Sequence, residues 1–207
     1  MVLTAENISK TFNRRTVFRE IGFTVVAGQS IAVTGRNGAG KSTLLKILAG
    51  LLTPTSGSVR YAVSGSVHGP EDIRAHLGFV SPYLQLYDEF SALENLRLLS
   101  RMRSATVASD ERCREMLTRF GLWDRCNDQV RTYSSGMKQR LKYVVALLHD
   151  PEVLMLDEPG ANLDADGIAA VAQIYESSQR RILIVATNDR SEAERCELKI
   201  HLGTGVS

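Results

Sequence analysis

Residues 35–42 read GRNGAGKS, set between an apolar run at 30–34 and a stretch at 43–51 whose apolar residues recur with helical period. A loop holding three glycines between a strand and a helix leaves few folds open to the chain. Gly35, Gly38 and Gly40 let the backbone turn tightly and expose its amide N–H groups. Together with the positive end of the new helix dipole, those amides make a cradle for phosphate oxygens. Lys41 brings a full charge to β- and γ-phosphates, and Ser42 offers a hydroxyl to Mg2+. Arg36, Asn37, Ala39 and Thr43 fill the rest of the loop and join the nucleotide-binding set. The match to G-x-x-x-x-G-K-[ST] is complete, and strand then helix is the context it requires.

Three further stretches carry chemistry. Residues 153–158 read VLMLDE, a buried strand ending in two carboxylates, which is expensive unless the carboxylates have partners or a job. Asp157 suits holding Mg2+ through water, and Glu158 is placed to orient or deprotonate an attacking water. Residues 182–190 read ILIVATNDR, an apolar run cut off by Thr187, Asn188 and Asp189. Ligands of an open parallel sheet sit beyond the carboxyl ends of its strands, so Asn188 faces such a ligand. Residues 133–140 read YSSGMKQR ahead of a helical stretch at 135–148. Ser134, Ser135 and Gly136 there combine hydroxyls, amides and dipole into a second anion-binding device, with simple N-capping as the plainer alternative.

The remaining pattern divides the chain into three zones. Residues 2–34 are β-like, a break at Pro54, Ser56 and Gly57 precedes a strand-like stretch at 58–63, and residues 81–150 turn rich in Leu, Arg, Glu and Met. Helical periodicity within that middle zone covers 91–102, 110–120 and 135–148. The last zone alternates strand, helix and strand at 153–156, 165–177 and 182–186, with a weaker strand at 198–202. The zones together make an α/β fold, a core with a helical insertion of about 70 residues. The expected division of the single domain 1–207 is 1–80 and 151–207 for the core, and 81–150 for the helical subdomain.

Composition narrows the partners. Lys and Arg number 25 against 23 Asp and Glu, a net charge of +2, with no dense basic block, so no nucleic-acid partner is expected. Three cysteines without C-x-x-C spacing argue against a disulfide framework or zinc site and suit a reducing cytosol. Residues 1–10 carry no signal-peptide pattern, and no apolar run approaches the ~18 residues of a membrane span. Any membrane contact is expected through a partner.

In combination these stretches resemble the nucleotide-binding subunits of ABC transporters. GRNGAGKS matches that family's phosphate loop, YSSGMKQR resembles its signature LSGGQ or LSGGMKQR, and VLMLDEP matches its Mg2+ and catalytic strand. GANLD at 160–164 resembles its D-loop, and ALENL at 92–96 the segment that opens its helical subdomain. Order and spacing agree across nearly all of the chain. The resemblance implies an α/β fold with a P-loop NTPase core on a parallel sheet, an N-terminal antiparallel β subdomain and an inserted helical subdomain. It implies an ATPase that uses ATP and Mg2+ and forms a head-to-tail dimer, expected as a homodimer, with a second, different ATPase as the alternative partner. Each nucleotide would lie between the phosphate loop of one subunit and Ser134, Ser135, Gly136 and Met137 of the other, with Asp164 in the D-loop. It also implies that Phe12 stacks on adenine, for which a π-face suffices. Integral membrane subunits would hold the chain at the cytoplasmic, inner face of the plasma membrane. The short form resembles the ATP-binding subunits of haem exporters in cytochrome c maturation.

Four departures from the family pattern stand out. Tyr133, Ser135 and Met137 alter the signature, and Asn162 replaces Gly in the D-loop. Residues 78–82 read GFVSP, so Pro82 stands where the family carries Gln, and Gln85 follows three residues later. Asn188 stands where it carries His; an amide still donates an N–H but cannot shuttle a proton. The expected function is an ATP-hydrolysing transporter subunit, slow in isolation. The alternative is a nucleotide-gated switch with little hydrolysis, on account of Pro82 and Asn188. Soluble members acting on DNA or ribosomes usually carry two such domains or a long coiled-coil insert, and this sequence shows neither.

Overall fold

A computed structural model describes residues 1–103, 108–161, 163–176 and 180–203. These fall into two compact units, one from 1–79, 152–159 and 178–207, the other from 80–151 and 160–177.

The first unit opens with a long hairpin, β1 (Val2–Phe12) and β2 (Arg15–Val26). It continues through β3 (Ser30–Thr34), helix α1 (Lys41–Leu48), β4 (Ser56–Val63) and β5 (Ser66–His68). The strands of the hairpin join β4 and β5 in an antiparallel sheet of order β2-β1-β4-β5. Strand β6 (Leu77–Val80), β7 (Val153–Asp157), β8 (Ile182–Thr187) and β9 (Leu198–His201) join β3 in a second sheet of order β6-β7-β8-β3-β9. Every residue of β7 and β8 is buried, as parallel strands covered on both faces require. Leu3, Ile8, Leu44, Leu48, Tyr61, Met155 and Ile184 meet in one apolar core.

The register of the parallel sheet places the site. Thr34 of β3 pairs with Thr187 of β8, and Asp157 of β7 pairs with Ala186 of β8. Three strands therefore end at one level, and the segments that leave them emerge side by side.

The second unit is helical. It holds α2 (Ala92–Arg103), α3 (Asp110–Arg119), α4 (Ser135–Leu147) and α5 (Ala165–Glu176). Ser91 and Glu94 exchange side-chain and backbone bonds at the start of α2 (2.8 and 3.2 Å), a reciprocal capping box. Ser109 caps α3 and Ser134 caps α4, each accepting from the amide three residues on at 3.2 Å. Leu96, Leu117, Leu141 and Val144 are fully buried, and the Phe120 and Tyr143 rings stack at 6.1 Å.

Some expectations shift. Residues 160–177 group with the helical unit rather than with the core, because α5 packs on α4 and Asp164 pairs with Arg140. Helix α1 starts at Lys41, two residues before the expected 43, because the cradle ends inside its first turn. The short elements β5, β6 and α6 (Arg190–Glu194) had no expectation; three to five residues are too few to show a period.

Candidate nucleotide site

The loop between β3 and α1 is shaped by two glycines with different needs. Gly40 has φ +100°, and a Cβ there would lie 2.4 Å from Val17 Cγ1, so packing alone demands glycine. Gly38 has φ +81° and nothing within 4 Å of where its Cβ would stand, so its freedom serves an open face. Arg36, Asn37 and Gly38 are exposed, while Ala39 is buried and donates its N–H to Arg36 O at 3.1 Å. Helix α1 then begins with no side-chain cap and no acidic residue in its first turn. Its first N–H groups are left for an anion.

Lys41 is 6% exposed, and its ammonium meets three protein oxygens. Nζ donates to Gly35 O at 3.1 Å and to Asn188 Oδ1 at 2.5 Å, and pairs with Glu158 Oε1 at 3.2 Å. A buried cation needs such partners, and these oxygens lie where an anion can take their place.

The carboxylates end β7 in different settings. Asp157 is 1% exposed; Ser42 Oγ donates to its Oδ1 at 3.0 Å, and its Oδ2 is buried without a hydrogen-bond partner. Burial pushes the Asp157 carboxyl above its ordinary range; the Ser42 bond opposes this, the Glu158 charge adds to it and Lys41 offsets it. A buried carboxylate oxygen lacking a donor, next to a serine hydroxyl, fits a hard cation that takes oxygen ligands. Among the described residues no group of three His, Cys, Asp or Glu side chains gathers to hold a metal. Mg2+ here would thus rely on water and phosphate oxygens, its usual habit.

Glu158 has φ +52° and donates its N–H to Ala186 O at 2.8 Å. The left-handed backbone costs of order 1–3 kcal/mol and turns the chain at the strand end, where the carboxylate meets Lys41. Asn188, just past β8, accepts from Lys41 and donates its Nδ2 to Asn37 Oδ1. A hollow of about 540 Å3 opens over Gly35, Arg36 and Asn188.

The structure therefore brings Gly35, Asn37, Lys41, Ser42, Asp157, Glu158 and Asn188 together at one end of the sheet. Asp189, the residue after Asn188, directs its carboxylate to the backbone. Its Oδ1 accepts from Ser191 N (2.7 Å), Ser191 Oγ (2.7 Å) and Glu192 N (3.3 Å), capping α6. Those bonds hold its carboxyl below the usual range. Phe12 is 45% exposed at the end of β1, with Lys10 Nζ 4.7 Å from its ring centroid, so it is a surface aromatic and not a core residue.

Ser134, Ser135, Gly136, Met137 and Asp164 belong to the second unit. Asp164 Oδ1 accepts from Gly167 N at 2.9 Å at the start of α5. Pro82 offers only its carbonyl, which accepts from Lys142 Nζ at 3.1 Å. Gln85 lines an open hollow of about 520 Å3 beside Ser135, Lys138 and Gln139. Asn162 lies outside the described residues. Sequence reasoning missed Arg140, buried in α4 and paired with Asp164 at 3.2 Å; the clue was a charged residue on the apolar face of the helix.

A family model described as ABC transporter matches residues 18–161, which include the phosphate loop, the signature and the carboxylate strand. The chain is 37% identical over 166 residues to the linearmycin resistance ATP-binding protein LnrL of Bacillus subtilis (strain 168), across 79% of this chain and 53% of that protein. It thus spans about half of that relative's length. It is 33% identical over 195 residues to the lantibiotic transport ATP-binding protein SrtF of Streptococcus pyogenes, across 93% of this chain and 82% of that one. A solved structure of an ATP-binding subunit of an ABC transporter shares the fold at TM-score 0.87 and 29% identity, over 99% of this chain and 87% of that one.

Proposed function

The chain belongs to the ABC transporter family as one of its ATP-binding, ATPase subunits, and on that premise we propose that it hydrolyses Mg2+-ATP to drive transport through separate membrane subunits. The observation that carries the reading is the meeting of Lys41, Glu158 and Asn188 at the mouth of the phosphate loop. The γ-phosphate replaces Glu158 and Asn188 as the partner of Lys41. Glu158, released from the ammonium, orients and deprotonates the attacking water. Asn188 directs its amide N–H at the phosphate. Ser42, and Asp157 through water, would hold Mg2+, which when bound spreads the charge of the β- and γ-phosphates. Phe12 offers the adenine a ring face.

Hydrolysis by the isolated chain is slow in this reading. Losing one well-placed donor at a charged transition state costs about 3 kcal/mol, roughly a hundredfold in rate. Asn188 keeps a donor, so its cost is smaller, but it relays no proton. With Lys41, Ser42, Asp157 and Glu158 all in place, a motor is favoured over a switch that only binds.

Two such chains would pair head to tail, the signature of one closing on the ATP of the other. Among the described residues no helix is long and apolar enough to cross a membrane. Attachment at the cytoplasmic face would come from the membrane subunits, as in the family. The test is to purify the chain from membranes with the subunit bound to it and compare steady-state ATP hydrolysis with and without that subunit. Slow hydrolysis alone and faster hydrolysis in the complex are expected. No Mg2+-dependent hydrolysis in either state contradicts the proposal.

A further inference from the structure

Arg140 is a buried charge that the roles assigned above leave unused. Its side chain is 8% exposed, and it lies one turn beyond Gly136 on α4. Nη1 donates to Phe120 O at 2.8 Å and Gly121 O at 3.4 Å, just past the end of α3. Nη2 meets Asp164 Oδ2 at 3.2 Å, while Nε is buried with no partner. Such an arrangement is a poor device for stability: burying the guanidinium costs desolvation, its carboxylate partner is partly exposed, and one N–H is left unsatisfied. Well-packed apolar side chains would hold the same helices as firmly.

What the guanidinium does hold is Asp164. The opposite oxygen of that carboxylate, Oδ1, accepts from Gly167 N at 2.9 Å, so Asp164 is clamped between the start of α5 and Arg140. Oδ2 is packed so closely on the first turn of α4 that a Cβ on Gly136 would lie 2.7 Å from it. The glycine of the signature is therefore also the floor on which Asp164 rests. A negative charge at the first turn of a helix is favourable, which keeps the contact closed.

We propose that Arg140 is a positioning residue: it locks Asp164 against Gly136, so that residues 134–137 and Asp164 present one preset surface to the nucleotide of a second copy. This rests on the head-to-tail reading above. Lysine at 140 keeps the charge but loses the planar fork that spans three oxygens. Asparagine at 164 keeps the shape but loses the charge.

The test measures self-association in Mg2+-ATP by sedimentation, with every variant carrying Glu158→Gln so that ATP is not consumed. Arg140→Lys and Asp164→Asn should each raise the dimer dissociation constant about tenfold or more, and the double variant should be little worse than either, because the pair acts as a unit. ATP binding to the Arg140→Lys monomer, whose phosphate loop is untouched, should stay within about twofold. If association is unmoved while only the melting temperature falls, Arg140 is structural and the inference is overturned. Additive effects of the two substitutions overturn it equally. If the Glu158→Gln parent itself fails to associate with ATP, the head-to-tail reading falls, and this inference with it.

Discussion

Asn188 Oδ1 lies 2.5 Å from Lys41 Nζ, a contact made between residues 147 apart in the chain. It exists because β3 and β8 are neighbours in register, with Thr34 opposite Thr187, so the loops that follow them open onto each other. The amide of Asn188 spans Lys41 on one side and Asn37 on the other, which fixes its orientation.

Replacing Asn188 tests that contact. Asn188→Ala removes a donor near the γ-phosphate and should slow steady-state hydrolysis roughly tenfold to a hundredfold. Asn188→His restores a group able to relay a proton and should raise kcat above wild type. A histidine variant no faster than wild type would show that asparagine is not what limits the rate.

Asp157 links stability to pH. Its folded pKa is raised by burial, so the folded state holds the proton to higher pH than the unfolded chain does. Stability contributed by the protonated form is therefore lost as pH rises from the ordinary aspartate value through the raised folded value. Asp157→Asn should melt higher than wild type at neutral pH without nucleotide, and should lose that advantage in acid. The same variant should lose Mg2+-dependent hydrolysis. Thermal melts across pH, with hydrolysis assays alongside, check both halves.

How much of this was legible beforehand follows from the kind of signal each part carries. The cradle at 35–42 and the Asp157-Glu158 pair were readable because their chemistry is local: the residues that act together are adjacent or flank one turn. The meeting of Asn37, Asn188 and Lys41 was readable only in part, since the order of strands in a sheet is not written in any one segment. The capping role of Asp189 was not readable for a similar reason, because the five residues of α6 are too few to reveal a period. Arg140 showed only as a charge on an apolar helix face: its partners lie near residues 120 and 164, and only packing brings them to one guanidinium.

Phe12 offers a clean split between binding and chemistry. Aromatic stacking on a base is worth about 1–3 kcal/mol, so Phe12→Ala should raise the KM for ATP between roughly fivefold and a hundredfold. The value of kcat at saturation should change little, because stacking on the base is a binding interaction made equally before and in the transition state. Phe12→Tyr should behave as wild type. A KM that ignores the alanine substitution removes Phe12 from the site.

Two glycines of one loop should respond differently to alanine. Gly40→Ala forces a methyl to within 2.4 Å of Val17 Cγ1 and should lower the melting temperature sharply. Gly38→Ala has open space and pays only for its positive φ, of order 1–2 kcal/mol, so it should fold and show its defect in ATP affinity. Thermal melts and nucleotide titrations separate the two.

The central claim is that Glu158, released from Lys41 by the incoming phosphate, activates the water that cleaves ATP. Glu158→Gln keeps the size of the side chain and removes the base, so it measures this most directly. Hydrolysis at saturating Mg2+-ATP should fall by about a hundredfold or more, while the affinity for ATP is retained. A Glu158→Gln variant that hydrolyses ATP at the wild-type rate would contradict the account.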